Sequence, residues 1–376
     1  MSSLPERALS EFFERAEEEF AEVVTRTELV ERELHFAGQR VSVHMAGAEL
    51  ARTLMGALAA RTAEREVPRL QLSSDGIPAS ISVWEESGRP QGALPVPWRE
   101  EDIGPGGLVG RPGDHRIVAV HQTGYGAVTL VDRSSRRLLH RVPESRRVPW
   151  WERAAPLRPA LFWALSGEGR VLVHAGVVGD GRGGVLLAGA SGSGKTTVAL
   201  AALLHGIGYV SDDYVLLETT PGLSAHSLYN VISVRPDPVP TAHSLYNNAK
   251  LDLGHLKRFP ALAGAVIHPP AEASGEKAVL DVKAAMPGAV RDHLPVRAVV
   301  VPRIQGGRTR VGSISPVQAL LALAPSTVFQ MPFDEGKALG SMGQLTRQVP
   351  CFSLDVGDDQ TELGEAIDHV LEQVAA

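Results

Sequence analysis

The sequence predicts an α/β protein in two parts, a phosphate-binding domain over residues 150–376 and a smaller α+β domain over residues 1–149. Three observations predict it. Residues 189–196 read GASGSGKT and satisfy G-x-x-x-x-G-K-[ST] at every fixed position. An apolar run at 185–188 precedes this loop, and the helix-forming run TVALAALL follows it. The Pro- and Trp-containing stretch VPESRRVPWWERAAPLR, residues 142–158, separates these motifs from everything upstream.

A strand that passes through a glycine turn into a helix points several backbone N–H groups at one spot, where the helix dipole favours negative charge. Gly189, Gly192 and Gly194 let the backbone close where a Cβ would obstruct it. Ala190, Ser191, Ser193 and Thr197 complete the predicted nucleotide cradle. Lys195 is placed to reach the terminal phosphates of ATP, and the Thr196 hydroxyl to ligate Mg²⁺.

Along the chain, SLPE at 3–6 fits a capping box, and Leu9, Phe12, Phe13, Ala16 and Phe20 then follow helical spacing, so a helix is expected over residues 4–30. Residues 33–44 read as a hairpin around Gly38, and 48–61 as a second helix. Strands are expected at 81–85, 116–122 and 127–132, with a long Gly- and Pro-rich loop over 86–114. A helix at 159–165 opens the second part. Strands at 171–178 and 185–189 follow, joined by the turn GDGRGG. Beyond the loop helix, 209–218 reads as a strand and 220–275 as irregular. A strand at 296–301, a helix from Ser315 to Leu323, a strand at 352–356 and a helix at 362–374 close the chain. The hexapeptide AHSLYN occurs twice, at 225–230 and 242–247, too little for a solenoid.

Composition sets outer limits. Hydrophobic residues make up 44% and charged residues 21%, as in globular proteins, and the net charge of −6 argues against nucleic acid as a partner. A local cluster (Arg133, Arg136, Arg137, Arg141, Arg146, Arg147) reads as a solvated face or loop. Cys351 is the single cysteine, which excludes an intramolecular disulfide and a cysteine-rich metal cluster. No apolar run approaches the ~20 residues of a membrane span, and the acidic N-terminus lacks a secretory h-region, so no membrane partner and a cytoplasmic location are expected.

Asp212 and Asp213 come one helix after the loop. Phosphoryl transfer to a hydroxyl needs a carboxylate to take the proton and hard oxygen ligands for Mg²⁺, and two adjacent carboxylates can divide those jobs. On a strand they would point to opposite faces. In many P-loop ATPases the metal-binding Asp instead ends a long apolar strand far downstream, so its early position here argues against a motor, transporter or switch GTPase. Taken alone, His174 reads as a core histidine at a strand end.

The stretch HAGVV-GDGRG-GVLLAGASGSGKTTVALAALLHGIGYVSDD resembles the core of the HPr serine kinase/phosphorylase family, within the phosphoenolpyruvate-carboxykinase-like P-loop enzymes. His174, residues 189–196 and the Asp212–Asp213 pair match that family's hallmarks in order. The resemblance covers about residues 170–218. It implies a carboxykinase-like P-loop kinase domain with a mixed sheet, with Asp213 as the base for an acceptor hydroxyl, Asp212 on the metal and His174 lining the catalytic centre. Related kinases form rings, but nothing in the sequence encodes one, so oligomeric state stays open between a monomer and a homo-oligomer. Two departures matter: the family's Glu-x-Arg-Gly signature is absent from 219–260, and the loop ends in Thr196 where Ser is usual. The expected acceptor is therefore a hydroxyl, most simply serine, on a protein, peptide or small molecule other than HPr. Lys250, Lys277 and Arg303 are candidate cations for the transition state. Two rivals stand beside this reading. One is a regulatory or assembly ATPase that transfers nothing. The other, carboxykinase chemistry, would need a second metal site with His and Lys ligands.

Overall fold

The structure is a computed structural model that describes residues 6–62, 79–86, 94–110, 113, 115–167, 169–234, 264–268, 276–331 and 336–375. The chain divides into two compact units, one formed mainly by Met1–Leu165 and the other by Ser166–Gln330 with Asp334–Ala376.

In the first unit, helix α1 (Glu6–Val24) packs its predicted apolar stripe onto a six-stranded mixed sheet. That sheet holds β1 (Leu29–Phe36), β2 (Gln39–Ala46), β3 (Ala79–Glu85), β4 (Ile117–Gln122), β5 (Ala127–Asp132) and β6 (Arg137–Val142), in the order β1-β2-β3-β6-β5-β4. Phe36 pairs with Gln39 across a two-residue turn, Ala37–Gly38, in which both φ angles are positive. Helix α2 (Ala48–Met55) follows the hairpin and buries Leu50 and Leu54.

β6 was hidden in the sequence by its arginines. Arg141, expected on a solvated surface, is buried: it donates to Leu94 O at 2.8 Å and pairs with Glu86 at 2.8 Å. The domain boundary also moves. Helices α3 (Trp150–Ala154) and α4 (Arg158–Leu165), expected in the second part, belong to the first unit. Hydrogen bonds tie them there: Glu152 accepts from Gln122 Nε2 of β4 at 3.3 Å and from Leu157 N at 2.9 Å, and Arg136 donates to Ala164 O at 2.7 Å.

The second unit is mixed α/β. Its main sheet uses β7 (Arg170–His174), β8 (Gly176–Asp180), β9 (Gly183–Leu187), β10 (Gly208–Ser211), β11 (Tyr214–Glu218), β12 (Ser224–Ser227), β16 (His293–Ile304), β17 (Arg310–Ser313) and β18 (Cys351–Val356). β16 forks. Its first residues pair antiparallel with β12, and its later ones lie parallel between β9 and β18. A small antiparallel sheet holds β13 (Val231–Val234), β14 (Val266–His268) and β15 (Ala278–Asp281). The remaining helices are α5 (Lys195–Leu204), α6 (Val282–Ala285), α7 (Pro316–Gln330), α8 (Lys337–Gln348) and α9 (Gln360–Ala375). α5 is almost wholly apolar because it is enclosed: Val198, Leu200 and Leu203 pack with Val185 and Leu187 of β9, Val300 of β16, and Ile367 and Leu371 of α9.

Two predicted single strands are each two. Residues 171–178 divide at Ala175 into β7 and β8, and residues 209–218 divide at Asp212–Asp213 into β10 and β11. The stretch 220–275, expected to be irregular, contains β12, β13 and β14, while the second AHSLYN copy and Lys250 lie outside the described residues. The helix expected to end at Leu323 runs on through Pro325 to Gln330.

Asp132 at the end of β5 is fully buried and accepts from Arg116 Nη2 (2.5 Å), Ser134 N (2.9 Å), Ser134 Oγ (2.7 Å) and Ser135 N (3.3 Å). Burial alone would favour the protonated acid, but these donors outweigh it and hold the carboxyl well below the usual range. Asp132→Ala should therefore destabilise the first unit by about 1–3 kcal/mol, most of it from the buried donors left unpaired rather than from half-exposed Arg116. Because the folded pKa is depressed, this contribution is present above the unfolded value of about 3.9 and disappears as pH falls through the folded one. Urea unfolding should show the gap between wild type and variant narrowing below pH 4; a constant gap down to pH 2 would contradict the assignment.

Candidate active site

The loop between β9 and α5 is held open by its glycines. Gly189, Gly192 and Gly194 have φ of 155°, 84° and 108°, which L side chains rarely adopt. A Cβ on Gly189 would lie 2.5 Å from Ser193 Oγ, and one on Gly194 would lie 3.3 Å from Ile304 Cγ1. Ser193 N donates to Ala190 O at 3.2 Å and closes the turn, while Ala190, Ser191 and Gly192 face solvent. Gly194 is the N-cap of α5, so the first-turn N–H groups of Lys195, Thr196 and Thr197 have no acceptor within the helix. Most of the motif's fixed positions act through that backbone, and Lys195 and Thr196 add side-chain chemistry.

 Lys195 is buried, and its Nζ donates to Gly189 O at 2.7 Å and Ala190 O at 3.3 Å. Burial lowers its pKa, partly offset by the charges of Asp213 and Asp212, while Lys277 pushes the same way as burial.

The acidic pair sits where the sheet divides. Asp212 is buried beneath α5, with Oδ2 accepting from Thr196 Oγ1 at 3.1 Å. Its Oδ1 lies 3.1 Å from the hydroxyl of Tyr209, which is itself 2.7 Å from Val231 O. The single phenolic proton serves the shorter contact best, which leaves Asp212 Oδ1 poorly compensated. Burial, then the charge of Asp213, raises the Asp212 pKa to about 6 against the opposing pull of Lys277, Thr196 and Tyr209.

Asp213 points the other way. Its Oδ1 lies 2.6 Å from His174 Nε2, and 49% of its side-chain surface remains exposed. Crowding around the carboxyl would by itself favour the protonated acid. The hydrogen bond from His174, with the charges of Lys195 and Lys277, outweighs that and lowers its pKa. Asp213 is therefore an ionised carboxylate open on one side, whereas Asp212 is a buried carboxyl facing a hydroxyl.

The structure brings His174, Lys195, Thr196, Asp212 and Asp213 into one locality. Of the three cations considered, Lys277, just before β15, acts electrostatically on Lys195 and on both aspartates. Arg303 is exposed on β16, paired in register with Asp355 of β18.

Four contributors escaped the sequence reading. Tyr209 stands beside Asp212; Thr327 Oγ1 accepts from His174 N at 3.0 Å; Gln330 Nε2 lies 3.5 Å from His174 Nδ1; and Gly176 lets β8 pass the acidic pair. Tyr209 was legible in principle, as the one large polar side chain in GYVSDD. Thr327 and Gln330 were not, being more than 150 positions from His174.

Among the described residues, no cluster of three or more His, Cys, Asp or Glu is arranged to hold a metal by itself, and no helix is long and apolar enough to cross a membrane. No known family and no curated protein matches the chain. Among solved structures, the Hpr(Ser) kinase/phosphatase from Coxiella burnetii is similar at 13% identity and a TM-score of 0.27, over 54% of this chain and 94% of that one.

The left-handed geometry of Gly194 yields a direct test. Gly194→Ala should lower the stability of the second unit by about 1–2 kcal/mol, the cost of a left-handed non-glycine residue. Urea unfolding without ligand reads this out, and a variant as stable as wild type would show that the loop does not need that conformation.

Proposed function

We propose that the chain is an ATP- and Mg²⁺-dependent kinase that phosphorylates a hydroxyl, most simply that of serine, on a protein, peptide or small molecule. The observation that carries this reading is the division of labour between adjacent carboxylates: Asp212 is joined to the loop hydroxyl of Thr196, and half-exposed Asp213 is joined to His174. The residues fit the groups the reaction needs. A carboxylate and a hydroxyl are hard oxygen donors suited to Mg²⁺, which takes few protein ligands and completes its shell with water and phosphate oxygens. The glycine loop and the free N–H groups opening α5 fit phosphate oxygens.

When bound, Mg-ATP supplies the transferable phosphoryl group and the metal's charge upon it. The chain supplies the rest. Backbone N–H groups of residues 192–197 and the Lys195 ammonium orient the phosphates and take up charge that builds toward the transition state. Lys195 leaves the carbonyls of Gly189 and Ala190 to do so. Thr196 and Asp212 would hold the metal. Asp213, with Oδ1 engaged by His174, offers its other oxygen to the acceptor hydroxyl and receives that proton late in the transfer. Lys277 adds positive charge on the same side. The second unit carries these groups, and an acceptor other than HPr follows from the missing Glu-x-Arg-Gly signature.

Transfer of label from ATP in lysate of the native host, with mass spectrometry of the labelled species, tests the reading. Hydrolysis without any labelled acceptor would favour the regulatory ATPase instead. Lys195→Ala should abolish transfer and weaken Mg-ATP binding in a folded protein; unchanged affinity and activity would remove the nucleotide assignment. Asp213→Asn should leave Mg-ATP affinity within a few-fold and cut single-turnover transfer by about 10²–10⁴, the range of general-base catalysis. Asp212→Asn should instead raise the Mg²⁺ requirement. If calorimetry and transfer rates show the reverse pattern, the two roles are exchanged.

A further inference from the structure

We propose that Tyr214 and Gln330 are positioning residues that hold His174 as its Nε2–H tautomer and so fix the orientation of the Asp213 carboxylate; the catalytic consequence rests on the kinase reading. The four groups form one chain of contacts. Tyr214 lies directly opposite His174 in the β7–β11 register, with the two rings 5.2 Å apart at 39°. The Tyr214 hydroxyl donates to Gln330 Oε1. Gln330 Nε2 faces His174 Nδ1 at 3.5 Å, and His174 Nε2 faces Asp213 Oδ1 at 2.6 Å.

Donor and acceptor chemistry leaves a single consistent assignment for a neutral ring. A phenol has one proton to give, and an amide oxygen can only accept it. That places the amide NH₂ at the other end of Gln330, against Nδ1. An NH₂ only donates, so Nδ1 presents its lone pair and the ring proton sits on Nε2. An ionised carboxylate only accepts, and Asp213 Oδ1 is the acceptor that this proton meets. Reversing the amide would put Oε1 against Nδ1 and require a proton there. The neutral ring would then turn its Nε2 lone pair toward the carboxylate at 2.6 Å, a repulsive contact that an added second proton alone could relieve.

The backbone supports the same geometry. His174 ends β7, and its N–H donates to Thr327 Oγ1, which is wholly buried on α7 one turn before Gln330. The helix that holds the strand end thus also holds the amide. With Oδ1 engaged, the exposed part of Asp213 is left to face an acceptor. In these contacts the Gln330 side chain reaches Asp213 through the imidazole.

The test uses the full chain with ¹⁵N-labelled histidine. Long-range ¹H–¹⁵N correlation at pH 7.5 reads the protonation of each ring nitrogen, and His174→Asn identifies the His174 signals among the 13 histidines. Wild type should show Nε2 protonated and Nδ1 bare. Gln330→Glu offers Nδ1 only an acceptor and should place a proton on it. Tyr214→Phe frees the amide to turn and should give a mixture of tautomers, so that either variant serves if the other does not fold. With the kinase reading, Gln330→Glu should lower kcat for transfer about ten-fold or more, part of the general-base contribution, with Mg-ATP affinity unchanged. An Nδ1–H tautomer in wild type, or ring nitrogens unmoved by both variants, overturns the proposal. The expected tautomers in a protein that transfers no phosphate would support the relay and count against the kinase reading instead.

Discussion

The site depends on two strands changing partners at the same point. β7 pairs with β11, yet β8, one residue further on, pairs with β9 and β10. The chain from β10 to β11 makes the matching change across Asp212–Asp213. Such a crossing brings two backbones closer than an ordinary sheet spacing allows. Gly176 makes room for it: a Cβ there would lie 3.2 Å from Ser211 O and 3.3 Å from Asp212 Cα. The bend is secured by Ser211, whose hydroxyl donates to Tyr214 O at 2.8 Å and accepts from Asp213 N at 3.3 Å. Because the strand breaks between them, the two aspartates are aimed into different environments, one beneath α5 and one toward β7. Their opposite pKa shifts follow from that division.

The same crossing explains which parts of the site were legible. The glycine loop is local. Its strand, turn and helix occupy about twenty consecutive residues, and the conformations its glycines permit can be inferred from their spacing alone. The acidic pair was legible as a position but not as a break, because GYVSDDYVLLE has the apolar content of one continuous strand. What divides it is pairing with two different neighbours, a non-local fact that no window of sequence contains. His174 shows the same limit. Alone it reads as a core histidine, and in the fold it is a buried ring whose hydrogen-bond partners come from the bend before β11 and from α7.

Elsewhere, tertiary pairing overruled composition. Arginine-rich 133–147 contains a central strand because Arg141 found carboxylate and carbonyl partners inside, and a long stem buries well when its head group is paired. The stretch 150–165 falls on the loop-domain side of a boundary drawn through the Pro- and Trp-containing junction 142–158. Hydrogen bonds nevertheless tie it to β4 and to the turn before β6, and it falls in the first unit. Composition marks where a chain can be divided, whereas the hydrogen-bond partners of the flanking residues decide on which side of the division they fall.

Charge balance accounts for how this site can exist before any ligand arrives. Lys195 and Lys277 stand against Asp212 and Asp213, so the lysine charges offset those of the aspartates. Lys195 is not left idle, since two loop carbonyls satisfy it. A polyphosphate entering this loop must therefore displace hydrogen bonds that already exist, and its own negative charge would unbalance the pair of aspartates unless a cation came with it. In the proposed kinase, Mg²⁺ would remove that difficulty by bringing charge to the buried Asp212 beside Thr196, while Asp213, engaged by His174 on one oxygen, would stay open to the acceptor. On that proposal the asymmetry of the pair would favour metal and nucleotide entering together, with Asp212 beside Thr196 turned to the metal and half-exposed Asp213 to the acceptor.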